Sequence, residues 1–378
     1  RALMRSTEER AGEAWERAGE AWERHGNTEC LLVLAGIVFA VVGVSGNLTA
    51  GPRVVDENQI YLLDGQISEQ GVWATAREHV THRVVEMNRL VPVYLLHKIG
   101  AVWAFGTNLA AWHVYTAFVG ALAAGLLYVF SRMVGLTALE SLAFAFIAVV
   151  GEQSVLWWRL LHGEGIGLVF TGLALVCVVG ACRGSGRNGA LRLGAFAFAV
   201  LAALSKESFI LLMPAIAFGC VWQYRRDRRV SWAASVGADA VLSGGLGVAC
   251  FDADQFRNAV AELFAFRRSW IAIVAGVIGL IGCLANRDAS RRGFSGAIAL
   301  VILSGLVVLP QVLLYMSSGF EGERAADLSR FLIPATLGLA ALTVFPVHWA
   351  RRAAAASDGS RGRFVALGSA VVFASALA

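Results

Sequence analysis

Residues 109–131 read LAAWHVYTAFVGALAAGLLYVFS, a run with no Asp, Glu, Lys or Arg. Crossing the hydrocarbon core of a bilayer takes about 20 predominantly apolar residues in a helix, and this run is long enough. Working outward from it, apolar runs recur at 31–50, 138–151, 164–182, 193–205, 207–223, 231–250, 269–285, 294–315, 331–349 and 364–378. Several are short. The pair 193–205 and 207–223 is interrupted by SKES, which predicts two tilted helices meeting at a break. The expected fold class is therefore an all-α integral membrane protein with about ten or eleven transmembrane helices.

Composition agrees with that expectation. Hydrophobic residues make up 57% of the 378 positions and charged residues 16%, whereas soluble domains are roughly half apolar and a quarter charged. The formal net charge of +5 does not suggest nucleic acid as a partner, because its distribution between loops carries more meaning than its sum. The six cysteines all lie in or beside apolar runs, with no CxxC pair. They read as small packing residues, with neither a disulfide framework nor a zinc site.

Residues 11–24 are a tandem heptad, AGEAWERAGEAWER, with Trp15 and Trp22 on one helical face. Two heptads are too few for a coiled coil. They fit a helix lying at the membrane surface with its tryptophans at headgroup level. Residues 1–30 are thus expected to form a cytoplasmic amphipathic segment ahead of a polytopic domain over 31–378. The last residues, VALGSAVVFASALA, are still apolar, which predicts further chain past Ala378. Orientation follows from the basic loops RGSGRNGALR, YRRDRR, NRDASRR and RRAAAASDGSRGR. Short basic loops face the cytoplasm, so the N-terminus is expected inside. Segments 51–108, 152–163, 251–268 and 315–330 then face outward, in the inner (plasma) membrane of the cell.

The outward segments hold the candidate chemistry. VVDENQIYLLDG, residues 54–65, places Asp56 and Glu57 just beyond the first span, with Asp64 following. NRLVPVYLLHK, residues 88–98, carries Arg89, Tyr94 and Lys98 on an amphipathic stretch of the same long loop; an interfacial anchor would have the same composition. LSKESF embeds Lys206 and Glu207 in an apolar hairpin, where ionisable groups are costly and functional by default; a mutual Lys–Glu pair would also account for them. EQSVLWWRLLHGEG brings Glu152, Trp157, Trp158, Arg159, His162 and Glu164. FEGERAADLSRFLIP ends with Arg330 before a late span, and FDADQFRNAVAELFAFRR reads as a solvated face. Transfer of a sugar from a lipid phosphate to a hydroxyl needs this mixture. A carboxylate takes the acceptor proton, cations hold the phosphate, and aromatic faces receive sugar and lipid. No metal-ligand set is visible, although carboxylates and His can recruit a divalent cation.

Taken in order, these features resemble the GT-C superfamily of polytopic glycosyltransferases, such as protein mannosyltransferases and the aminoarabinose transferases of lipid A. The resemblance spans roughly residues 31–349. It rests on an acidic pair after the first span, a basic residue ahead of a Pro-x-Tyr, an embedded Lys–Glu hairpin, and RFLIP opening a late span. It implies Asp56 as general base, supported by Glu57, and Arg89 as a phosphate contact. Lys206, Glu207 and Arg330 would lie near the site, with Tyr94, Lys98 and Arg159 among the substrate-binding residues. The family's double proline is reduced here to Pro92. The implied partners are a polyprenyl-phosphate sugar donor, membrane lipids, and a protein, glycan or lipid acceptor. Two other classes fit the sequence: a transporter or flippase with a buried Lys–Glu pair at a broken helix, and a non-catalytic subunit of a membrane complex docked through the Trp heptads.

Overall fold

The computed structural model describes residues 28–44, 58–83, 91–149, 160, 162–183, 188–206, 208–209 and, within 336–348, all but 339, 342 and 346. Among the described residues every regular element is helical and none is a strand. In chain order the helices are α1 (Thr28–Val44), α2 (Asn58–Gln70), α3 (Val72–Thr81), α4 (Pro92–Phe105), α5 (Leu109–Val134), α6 (Ala138–Val149), α7 (Gly163–Arg183), α8 (Asn188–Ser205) and α9 (Thr336–Phe345). Two of them are long and apolar enough to cross a membrane: α5, and α7 over Gly163–Ala181. The run at 109–131 is thus one unbroken helix. At 26 residues it is about 39 Å long, against a hydrocarbon core of about 30 Å.

Contacts fix the direction of each helix. Leu31 meets Gly125, while Val38 and Val42 pack with Ala117, so α1 runs antiparallel to α5. Its buried stripe, Cys30, Leu34, Val38 and Val42, recurs every fourth residue, as one face of a helix must. α7 runs parallel to α5, with Gly172 against Leu126 and Gly180 beside Met133. α8 turns back along α7, Gly194 beside Cys177 and Gly163 against Ser205. α9 descends along α6: Thr336 Oγ1 donates to the Ala148 carbonyl, Phe345 meets Phe144 edge-on, and His348 reaches Glu140. One core joins these helices, with Tyr128, Leu127, Phe144, Leu168 and Phe209 among its most buried members. α6 has only 12 residues, about 18 Å, and is buried around most of its circumference, so it fills the bundle interior. Cys30 lies fully buried in this core; neither it nor the half-buried Cys177 forms a disulfide.

Three short helices cover one end of the bundle. α2, α3 and α4 share a second core of Ile60, Leu63, Ala76, Ile99, Val102 and Trp112. This cap lies within the loop expected at 51–108. α2 and α3 are joined at Gly71, whose φ of 85° and ψ of 161° belong to a region open essentially to glycine alone. Pro92 starts α4 at its first turn, where its missing N–H costs nothing. Asn108 caps α5 by accepting from the Ala111 N–H, and the Trp112 indole donates to the Gly106 carbonyl at 3.0 Å. Leu160, just ahead of α7, is buried in the cap core. The starts of α5 and α7 and the ends of α1 and α8 therefore all lie at the cap end.

Candidate functional site

Antiparallel packing sets the N-terminus of α7 beside the C-terminus of α8. Gly163 makes the approach possible. A Cβ there would stand 2.5 Å from the Ser205 carbonyl oxygen and 3.1 Å from the Tyr94 ring. One turn on, a Cβ at Gly167 would stand 2.7 Å from the Phe209 ring. Small residues four apart let helices close to this distance. α8 ends at Ser205, and Phe209 N–H donates back to the Lys206 carbonyl at 3.0 Å. α8 thus stops where the break at SKES is expected, and the Lys206 side chain reaches across to α7; the second helix expected at 207–223 lies, but for residues 208 and 209, outside the described residues.

There Lys206 Nζ lies 3.1 Å from a carboxylate oxygen of Glu164. The electrostatics agree with the placement. A carboxylate in the first turn of α7 sits at the positive end of one helix dipole, and an ammonium just past α8 at the negative end of the other. The two partners differ in access, since 15% of the Lys206 side chain is exposed against 2% of Glu164. The acid is sealed behind its cation.

Tyr94 joins this pair to the cap, because its ring packs on Gly163. Lys98, one turn later on α4, is 5% exposed and holds its ammonium 5.8 Å from the Tyr94 ring centroid, within range of a cation–π attraction. Lys98 also donates to Gln59 Oε1 on α2. It is turned into the protein rather than out toward solvent. The chain has 30 Arg and only two Lys; Lys98 stands beside the Tyr94 ring, and Lys206 follows Ser205, whose carbonyl approaches Gly163 together with that ring. Behind them, His97 Nε2 and Tyr115 Oη form a hydrogen bond of 2.6 Å with stacked rings. Burial pushes the His97 pKa down to about 4, so its imidazole is neutral near pH 7. On the cap's outer side Gln66 bonds His79 at 2.7 Å, and burial lowers the His79 pKa in turn.

Of the residues singled out from sequence, Tyr94 and Lys98 are in contact, and Lys206 is linked to them through the start of α7, where it pairs with Glu164 next to Gly163. Asp56, Glu57, Arg89, Arg159, Glu207 and Arg330 lie outside the described residues. In the sequence Glu164 is one charge among several in a segment expected to face outward; the structure pairs it with Lys206, linking two segments 42 positions apart. The sequence signal was an acid opening an apolar run directly after glycine. A second buried acid, Glu140, had no place in the expected site. Its carboxylate accepts from the Thr137 N–H at 2.9 Å while the Thr137 hydroxyl accepts from the Glu140 N–H at 3.3 Å, the reciprocal N-terminal cap of α6. The same carboxylate lies 2.7 Å from His348 Nδ1. Among the described residues, no three His, Cys, Asp or Glu side chains cluster as metal ligands. No protein-family model matches the chain, and no curated protein or solved structure matches it either.

Proposed function

We propose that the chain is a multi-pass membrane glycosyltransferase of the GT-C kind. In this reading it moves a sugar from a polyprenyl-phosphate donor to a protein, glycan or lipid acceptor at the extracytoplasmic face of the inner membrane. The observation that carries the reading is the meeting of Tyr94, Lys98, Glu164 and Lys206 where the cap joins the bundle. Lys98 on the Tyr94 ring and Lys206 on Glu164 are linked through Gly163, at the end of the two helices able to cross a membrane. A lipid-linked phosphate, whose tail cannot leave the bilayer, would present its headgroup at such a depth. α1 runs toward this end, and Asp56 and Glu57 immediately precede Asn58, the first residue of α2.

The chemistry then divides among the residues. Lys206 offers a point charge to the donor phosphate, joined by Arg89 and Arg330 as bidentate partners, while Lys98, turned inward, steadies the Tyr94 ring. Tyr94 offers its ring to sugar or isoprenoid. Asp56 takes the proton of the acceptor hydroxyl as the bond to the anomeric carbon forms, and Glu57 supports it. Phosphate is already a good leaving group, so the other demand is charge stabilisation on its oxygens. The cap end faces outward and the N-terminus inward.

Asp56→Asn tests the reading. It keeps size and hydrogen bonding but cannot accept the proton, so transfer from a radiolabelled polyprenyl-phosphate sugar should fall about 10²–10⁴-fold with donor binding retained. Full activity in Asp56→Asn would remove the base from that residue. Orientation is tested by cysteine labelling in intact cells. Ser68→Cys, in the cap, should react with an impermeant maleimide; Ser185→Cys, between α7 and α8, should not. The reverse pattern would place the cap in the cytoplasm and sink the assignment of the catalytic face.

A further inference from the structure

We infer that Glu164 is a resident counter-ion: it holds Lys206 while the site is empty and yields it to the phosphate of a bound isoprenoid lipid. The inference rests on the proposed donor reading and adds a positioning residue to it. Three observations converge. Glu164 and Lys206 are in direct contact at 3.1 Å. The acid is 2% exposed and the lysine 15%, so an incoming anion meets the cation first and cannot displace it from behind. The backbone around the pair is fixed, because Gly163 is wedged between the Ser205 carbonyl and the Tyr94 ring.

The physical consequence concerns affinity. A buried ion pair contributes little net stability, since desolvation offsets most of the attraction. Neutralising Glu164 removes one anion that competes for Lys206, and so strengthens its pull on any other anion that can reach it. With Glu164 present, a phosphate gains only the difference between its own attraction for Lys206 and the carboxylate's. Binding is moderated, and the phosphate-bearing product can leave. This is the arrangement expected where donor and product share one charged headgroup, and where over-tight binding would slow turnover.

The test uses the full chain in nanodiscs, with farnesyl phosphate as the probe and farnesol as its uncharged control, each titrated calorimetrically. Glu164→Gln should bind farnesyl phosphate about ten- to a hundred-fold more tightly than wild type, the effect of one charge-assisted contact no longer contested. Farnesol binding should not change. The gain should vanish in the Lys206→Met background, where Glu164→Gln has nothing to release. In the transfer assay Glu164→Gln should lower donor KM and kcat together, which a merely structural role would not do. If Glu164→Gln does not fold, Glu164→Asp decides: the shorter acid retreats from Lys206 and should raise affinity in the same direction. Unchanged or weaker binding in the folded acid variants, or a gain that persists without Lys206, overturns the inference while leaving the donor reading intact. Equal binding of farnesyl phosphate and farnesol by wild type and variants alike overturns both.

Discussion

Two buried acids sit at opposite ends of the same bundle, and they are built differently. Glu140 lies at the end away from the cap, at the start of α6. It closes a reciprocal cap with Thr137 and reaches His348 on the far side of the chain, 208 residues away. Both partners are shut in, at 2% and 9% side-chain exposure. Glu164 lies at the cap end, equally sealed, yet its lysine keeps a path outward. The first acid satisfies a helix terminus and ties the late segment to the bundle, while the second holds a cation that solvent can reach. Burial alone does not separate these two acids. The partner's access and the backbone's need for a cap do.

The difference makes a prediction about stability. Glu140→Ala removes the cap acceptor and strands His348, and should cost about 3–5 kcal/mol, as loss of one partner from a buried pair does. The double change Glu164→Gln/Lys206→Met should shift stability by only about 1 kcal/mol in either direction, because replacing both partners of a buried pair is often neutral. Thermal unfolding in detergent, followed by circular dichroism, measures both. Equal losses in the two cases would erase the distinction.

Proton linkage gives a second contrast, within the cap. Burial depresses the His97 pKa from 6.5 to about 4, so the unfolded chain binds more protons than the folded one between those values. Stability then rises with pH across that window. The contribution is fully present above about pH 6.5 and is lost as pH falls toward 4. It amounts to about 3 kcal/mol. His97→Gln retains a partner for Tyr115 but cannot titrate. The difference in melting temperature between wild type and His97→Gln should therefore change between pH 7 and pH 4, with wild type losing more. Parallel curves would show that His97 is solvated in the folded chain.

Among the described residues the helices were legible in the sequence where the signal was local, while the runs expected at 231–250, 269–285, 294–315 and 364–378 lie outside the described residues. The run at 109–131 contains its own helix, and the sequence RGSGR at 183–187 separates the runs that become α7 and α8. Site geometry was legible only in part. Lys206 stood out as a charge inside an apolar hairpin, and Tyr94 and Lys98 as neighbours at helical spacing. That Lys206 and Tyr94 both come to the start of α7 depends on α7 and α8 running antiparallel and on Gly163 admitting Ser205 and Tyr94, which no single segment encodes. Glu164 was hidden for the same reason, its partner lying 42 positions away. Within the cap residues 88–98 read as an amphipathic stretch; its small core, pinned by Leu160 from a different segment, is encoded by no one of its helices.

Two glycines carry the comparison down to its smallest terms. At the cap end, Gly163 is required by its neighbours. A methyl group would meet the Ser205 carbonyl at 2.5 Å, and backbone cannot swing aside as a side chain can. Gly163→Ala should cost about 2–3 kcal/mol and weaken the Lys206–Glu164 contact with it. At the other end, Gly135 is required by its own backbone. Its φ is 108°, it closes α5 by donating to the Arg132 and Ser131 carbonyls, and nothing lies within 4 Å of where a Cβ would be. Gly135→Ala should cost only about 1 kcal/mol, the penalty of a left-handed residue, and should leave ligand binding at the cap end untouched. Asn tolerates that conformation better than Ala, so Gly135→Asn should recover part of the loss. Gly163→Asn should recover nothing, since its difficulty is space and not φ. Melting temperatures of the four variants decide the matter. Recovery by Asn at 163, or its absence at 135, would show that the roles of the two glycines are assigned the wrong way round.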